Sequence, residues 1–208
     1  MLRPQAVIFD IGNMLIEWNP ERFYDARLGA DRRRAMFAAV DLHGMKDRID
    51  AGGLFRETIH ETAAAHPAWE TKIRWWHDHW TEMASPRIDG SIARLRGLRA
   101  RGVPVFALTS FGVHSFAYAR TQYPFLAEFD RSCVSAQRGV VKPDPQIIAM
   151  VEADCGLPPE APRFADHRAD NITAAARRGW RTHQFETWQG WARRLAAAGL
   201  LTQEEAGL

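Results

Sequence analysis

Four short stretches of the sequence set chemistry-bearing side chains directly after apolar runs. Ala6-Val7-Ile8-Phe9 stops at Asp10 and is followed by Gly12-Asn13; a second run stops at Thr109-Ser110. Lys142 stands before Pro143-Asp144-Pro145, and Phe164-Ala165 leads into Asp166-His167 with Asp170-Asn171 just beyond. An apolar run that ends in a carboxylate reads as a buried parallel strand delivering that carboxylate to the edge where open α/β sheets bind ligands. A carboxylate there can attack a phosphoryl group or an alkyl carbon, giving an ester that water later cleaves. A threonine hydroxyl with a turn of backbone N–H groups can hold an anionic oxygen, and a fixed lysine lets a substrate anion sit beside the carboxylate. Singly, each has a plainer reading: Asp10 capping a turn, Thr109 closing a strand, Lys142 a solvated loop charge.

The elements that must position these groups follow from periodicity. From Pro20 to about Met83 the sequence is helical in character and shows no strand. Asp31 is expected to N-cap a helix over 32–40, Phe55 to Ala65 has helical spacing, and Trp69 to Met83 is a long amphipathic segment. From Asp89 onward helices and strands alternate. A helix ending at Arg101-Gly102 precedes a strand over 103–108, a helix over 113–120 and a strand over 130–134. Pro145 then opens a helix that Gly156 ends, and a strand over 163–165 leads into a helix stopped by Gly179. A last strand over 180–183 and a closing helix from Trp188 complete the pattern. Such alternation calls for a doubly wound parallel sheet with right-handed crossovers. Among the tryptophans, Trp69, Trp75, Trp76 and Trp80 are expected to pack a helical core rather than line a pocket. Trp18 follows the Asp10 loop and, with Asn13 and Ser110, is read as a substrate contact. His60, His66, His77 and His79 have spacings that do not build a metal site.

Composition narrows the class. With 208 residues and 46% hydrophobic content the chain can bury one good core and a small accessory lobe. A net charge of +2 with interspersed signs gives no nucleic-acid stripe. Cys133 and Cys155 are the two cysteines and lack disulfide or zinc-motif spacing, which fits reduced thiols. No run has the length or flanks of a membrane span or signal peptide. The expectation is a cytoplasmic protein, monomer or homodimer, that meets a small-molecule substrate and neither membrane nor nucleic acid.

The order of the four stretches is similar to that of the haloacid dehalogenase-like (HAD) hydrolase superfamily, in its Phe-Asp-x-Gly-Asn branch. Phe9-Asp10-Ile11-Gly12-Asn13, Leu108-Thr109-Ser110, Lys142-Pro143-Asp144-Pro145 and Phe164-Ala165-Asp166-His167-Arg168-Ala169-Asp170-Asn171 carry the resemblance across nearly the whole chain. It implies a Rossmann-like α/β core over 1–16 and 87–208, with an all-helical cap over 17–86. It implies Asp10 as nucleophile, Thr109 and Lys142 as its catalytic partners, and magnesium (Mg2+) held by Asp10, the Gly12 carbonyl and Asp166. His167, Asp170 and Asn171 would stand behind those ligands.

Two positions depart from the pattern. Gly12 replaces an aspartate that serves many relatives as general acid/base, a loss worth roughly 10²- to 10⁴-fold. His167 replaces a second metal-binding acid, and magnesium prefers hard oxygen ligands, so the metal site is expected to be weakened. The first expectation is therefore a phosphatase acting on a small phosphorylated metabolite through an aspartyl-phosphate at Asp10. A metal-independent 2-haloacid dehalogenase-type hydrolase and a catalytically degraded binding protein are the alternatives.

Overall fold

The computed structural model describes residues 6–208. β1 (Ala6–Phe9) leads into six helices: α1 (Pro20–Leu28), α2 (Ala30–Ala39), α3 (Leu42–Asp50), α4 (Phe55–Ala65), α5 (Glu70–Asp78) and α6 (Trp80–Met83). The alternating half follows as α7 (Asp89–Ala100), β2 (Val105–Thr109), α8 (Val113–Gln122), β3 (Arg131–Val134), α9 (Ser135–Arg138), α10 (Pro145–Cys155), β4 (Pro162–Asp166), α11 (Ala169–Arg177), β5 (Arg181–Gln184) and α12 (Trp188–Ala197). The five strands form one parallel sheet in the order β3-β2-β1-β4-β5. This is the expected doubly wound α/β fold with a helical cap. No helix among the described residues is long and apolar enough to cross a membrane.

The central strands are buried along their whole length, as strands covered on both faces must be. Their side chains alternate between two layers. Val7, Phe9, Ala107 and Ala165 face a large cluster that runs through Trp191 and Leu195 into the cap. Ile8, Phe106, Leu108 and Phe164 face a smaller one closed by Ile147, Ile148, Val151 and Ala175. The strand order reverses beside β1, since the chain winds outward through β2 and β3 and then returns to β4. Asp10 follows β1 and Asp166 ends β4, so both acids arrive at that reversal, where doubly wound sheets form their crevice.

Local chemistry explains most helix boundaries. Asn19, Asp41, Asp144 and Thr187 each accept a backbone N–H of the first turn of α1, α3, α10 and α12, and Pro20 and Pro145 open their helices. Gly156 ends α10 in the left-handed region at φ 62°. One expectation is corrected. Asp31 does not cap α2; it lies in the first turn and pairs with Arg34, because Gly29 at φ 79° lets α2 start with a single residue between it and α1. The amphipathic stretch from Trp69 to Met83 forms two helices, α5 and α6. It breaks at His79, whose ring lies 5.4 Å from Phe23 and whose Nδ1 meets Glu82 at 2.7 Å, while Trp80 packs against Trp18 and Phe111. Tertiary aromatic packing overrides an unbroken helical period there.

The two segments that enter and leave the cap are tied to each other. Glu17 N–H donates to the Pro86 carbonyl at 2.9 Å, Ile88 N–H to the Leu15 carbonyl at 2.8 Å, and Asn19 N–H to the Met83 carbonyl at 2.9 Å. Cap and sheet enclose a cleft of about 630 Å³ over the ends of β1 and β2.

Candidate active site

Asp10 leaves β1 with its backbone N–H bonded to the Ala165 carbonyl at 3.0 Å, which fixes it against β4. The next turn is tightened by Asn13, which adopts φ 54° and accepts the Trp18 N–H on its side-chain oxygen at 2.8 Å. Asparagine tolerates that left-handed backbone better than most residues.

Lys142 is the hub of the cleft floor. Its Nζ donates to Asp10 Oδ1 at 2.8 Å, Asp166 Oδ2 at 2.7 Å and the Leu108 carbonyl at 3.0 Å. Three protons meet three acceptors, so no donor of the buried ammonium is left over. The Lys142 side chain is 4% exposed, Asp10 4% and Asp166 0%, so water screens these charges little. Burial alone would push the Asp10 carboxyl up, but the Lys142 ammonium and the His167 hydrogen bond outweigh it and hold Asp10 below the usual carboxylate range. Burial would likewise lower Lys142, and its two acids raise it instead. Asp166 goes the other way: burial and the neighbouring Asp10 charge raise it. The floor therefore holds an ionised Asp10 and a protonated Lys142 in a dry setting.

His167 is placed differently from expectation. It does not stand behind a ligand; its Nδ1 contacts Asp10 Oδ2 directly at 2.9 Å and lies 3.6 Å from Asp166 Oδ1. An ionised carboxylate only accepts, so Nδ1 carries the proton and donates to Asp10. Asp170 is also corrected. Its carboxylate is held by Arg168, at 3.1 and 2.6 Å, and by the Asn171 N–H at 2.9 Å, so this surface acid supports neither Asp10 nor Asp166. The two-residue spacing to Arg168 competes successfully for it. Asn171 donates from Nδ2 to Asp166 Oδ2 at 2.9 Å. Its Oδ1 is buried with no partner among the described residues.

Gly12, Asn13, Trp18, Thr109 and Ser110 all line the cleft. Thr109 is 1% exposed at the end of β2. Trp76 and Trp80 are 1% and 4% exposed, and Trp69 and Trp75 pack around the same cluster, so the four are cap core as expected. Yet Trp76 and Trp80 also present surface to the cleft, so core and pocket roles coincide in them. Sequence reading missed the polar wall opposite. Glu21, His43, Lys46, Asp47 and Asp50 reach the cleft from α1 and α3. His43 meets Glu21 at 3.2 Å, and Lys46 is paired with the nearly buried Asp50. A charged i,i+4 pair beside the apolar series Leu42, Met45, Ile49 was the available signal.

A magnesium ion would find Asp10, Asp166 and His167 with one donor atom of each within 4.8 Å of one another. The two carboxylates suit the ion in kind. The arrangement does not fit it, because Lys142 already engages one oxygen of each acid and the ring nitrogen lies between the remaining two.

No protein-family model matches the chain, and no curated protein does. Solved structures do match. A HAD-family enzyme of Bacteroides thetaiotaomicron aligns over 93% of this chain and 99% of its own at 19% identity, with a TM-score of 0.73. A wild-type form of that enzyme crystallised with magnesium and inorganic phosphate covers 88% of this chain and 95% of its own, at 20% identity and a TM-score of 0.68. The L-2-haloacid dehalogenase of Xanthobacter autotrophicus, with chloropropionic acid covalently bound, covers 98% of this chain and 86% of its own at 14% identity and a TM-score of 0.62. The chain thus has the fold of the HAD-family enzymes.

Proposed function

We propose that the chain is a HAD-family hydrolase in which Asp10 is the nucleophile, acting on a small phosphorylated metabolite. Residues 17–86 serve as the cap in this reading, and residues 1–16 with 87–208 as the core, of which 1–5 lie outside the described residues. One observation carries it: a buried carboxylate, kept ionised by a fully engaged lysine, lies at the floor of a cleft large enough for a metabolite.

Asp10 would attack phosphorus as the bond to the leaving oxygen breaks, giving an aspartyl-phosphate and an alkoxide that takes a proton from water. Water then attacks the phosphorus and returns the Asp10 carboxylate with release of inorganic phosphate. Lys142 keeps Asp10 ionised for the first step, and Thr109 and Ser110 line the place where the transferred group must sit. Gly12 brings no side chain to protonate the leaving oxygen. No step here depends on a metal.

A second reading has its own support. In a 2-haloacid dehalogenase-type reaction Asp10 would displace halide from carbon, and water would cleave the resulting ester. Such chemistry asks for neither metal nor acid at the leaving group, which suits both His167 and Gly12. Phosphate release from p-nitrophenyl phosphate is expected under the first reading and chloride release from 2-chloropropionate under the second, each measured with magnesium and with EDTA. Neither product from a folded protein would remove both.

A further inference from the structure

Lys142 leaves one oxygen untouched on each of its two acids, Asp10 Oδ2 and Asp166 Oδ1. A magnesium ion shared by those oxygens would stand about 2.0–2.1 Å from each. His167 Nδ1 faces both oxygens, 2.9 Å from the first and 3.6 Å from the second. We propose that the His167 imidazole takes the place of a divalent cation at this site, so that Asp10 is oriented and stabilised by an N–H donor and the chain works without metal. The inference deepens the reading of Asp10 as the reacting carboxylate and rests on it.

Two further observations point the same way. With Lys142 on Oδ1 and His167 on Oδ2, each Asp10 oxygen has a nitrogen donor, so the carboxylate plane is fixed without a metal ligand sphere. Asp166 is equally committed: Oδ1 accepts the Arg168 N–H at 2.8 Å, and Oδ2 accepts from Lys142 and Asn171. An ion entering here would have to displace the ring and compete with those donors. Because His167 lines the cleft and touches the reacting carboxylate, its role is catalytic.

The test is calorimetric titration of magnesium into three folded proteins: wild type, His167→Asp and His167→Asn. Each variant puts an oxygen where the ring stands, and the neutral asparagine covers the case in which a third acid prevents folding. Wild type is expected to give no saturable binding at millimolar magnesium. His167→Asp, or His167→Asn if the first does not fold, is expected to bind at least about tenfold more tightly than wild type, a difference of about 1.4 kcal/mol. EDTA should leave whatever turnover the wild type shows unchanged. Wild-type binding equal to that of the variants, or no binding by any of the three, overturns the proposal. Because binding is read without turnover, an inactive wild type showing the expected pattern would sink the hydrolase reading and leave the metal niche and its occupation by His167 standing. An active wild type that binds magnesium as His167→Asp does would do the reverse.

Discussion

The floor and the cap wall of the cleft handle charge in opposite ways. On the floor, Asp10, Lys142 and Asp166 are buried, mutually bonded and shielded from water, so each group fixes the others. On the wall, the Lys46 side chain is 27% exposed and Asp50 7%, while Glu21 and His43 are 40% and 60% exposed. A dry, fully paired cluster performs one reaction at one place. A partly wet wall of mixed charge with Trp18, Trp76 and Trp80 beside it can change what it accepts without disturbing that reaction.

The comparison predicts a gradient of mutational effects. Asp10→Asn, nearly isosteric, should lower turnover by at least ~10³-fold while circular dichroism stays that of wild type. Retained turnover would take Asp10 out of the chemistry. Lys142→Met should remove activity and also cost stability, about 3–5 kcal/mol in urea unfolding at neutral pH, because it leaves Asp10 and Asp166 as neighbouring buried carboxylates. A small change in the urea midpoint would mean that the floor is less dry than its geometry states.

Gly12→Asp sharpens the account of the floor. A Cβ added at Gly12 meets nothing within 4 Å, so an acid can be accommodated there. Under the phosphatase reading kcat on alkyl phosphates should rise, by about tenfold, through protonation of the leaving oxygen. An unchanged kcat would show that this proton does not limit the rate. Lys46→Met tests the wall. KM for substrates with a charged leaving group should shift several-fold, about 1 kcal/mol, with kcat on p-nitrophenyl phosphate close to wild type. Equal losses across all substrates would place Lys46 with the floor instead. Arg96→Ala sets the baseline: its pair with Glu128 lies on the surface, and its loss should cost at most about 1 kcal/mol in the same unfolding assay.

How much of this could be read from the sequence divides along the same line. Most of the floor was legible because Asp10, Thr109 and Asp166 each end an apolar run, so strand direction carries them to one edge. Lys142 came with its Pro-Asp-Pro turn. What strand logic could not give was the contact of His167 with Asp10, or the loss of Asp170 to Arg168, since both depend on side-chain geometry within the loop after β4. The wall was illegible for a different reason. Which face of α3 looks into the cleft is decided by its docking. The Asp50 carbonyl accepts the Ser135 hydroxyl at 2.6 Å, that hydroxyl accepts the Phe111 N–H at 3.0 Å, and Ile49 packs where Gly112 has no side chain. Those partners lie more than sixty residues away in the chain.

The central claim, that Asp10 forms the covalent ester, is tested most directly by mass spectrometry of enzyme quenched in acid during turnover. A substrate adduct on the peptide bearing Asp10, absent from Asp10→Asn, is the predicted result. Steady turnover with no adduct on that peptide, and with Asp10→Asn still active, would contradict it.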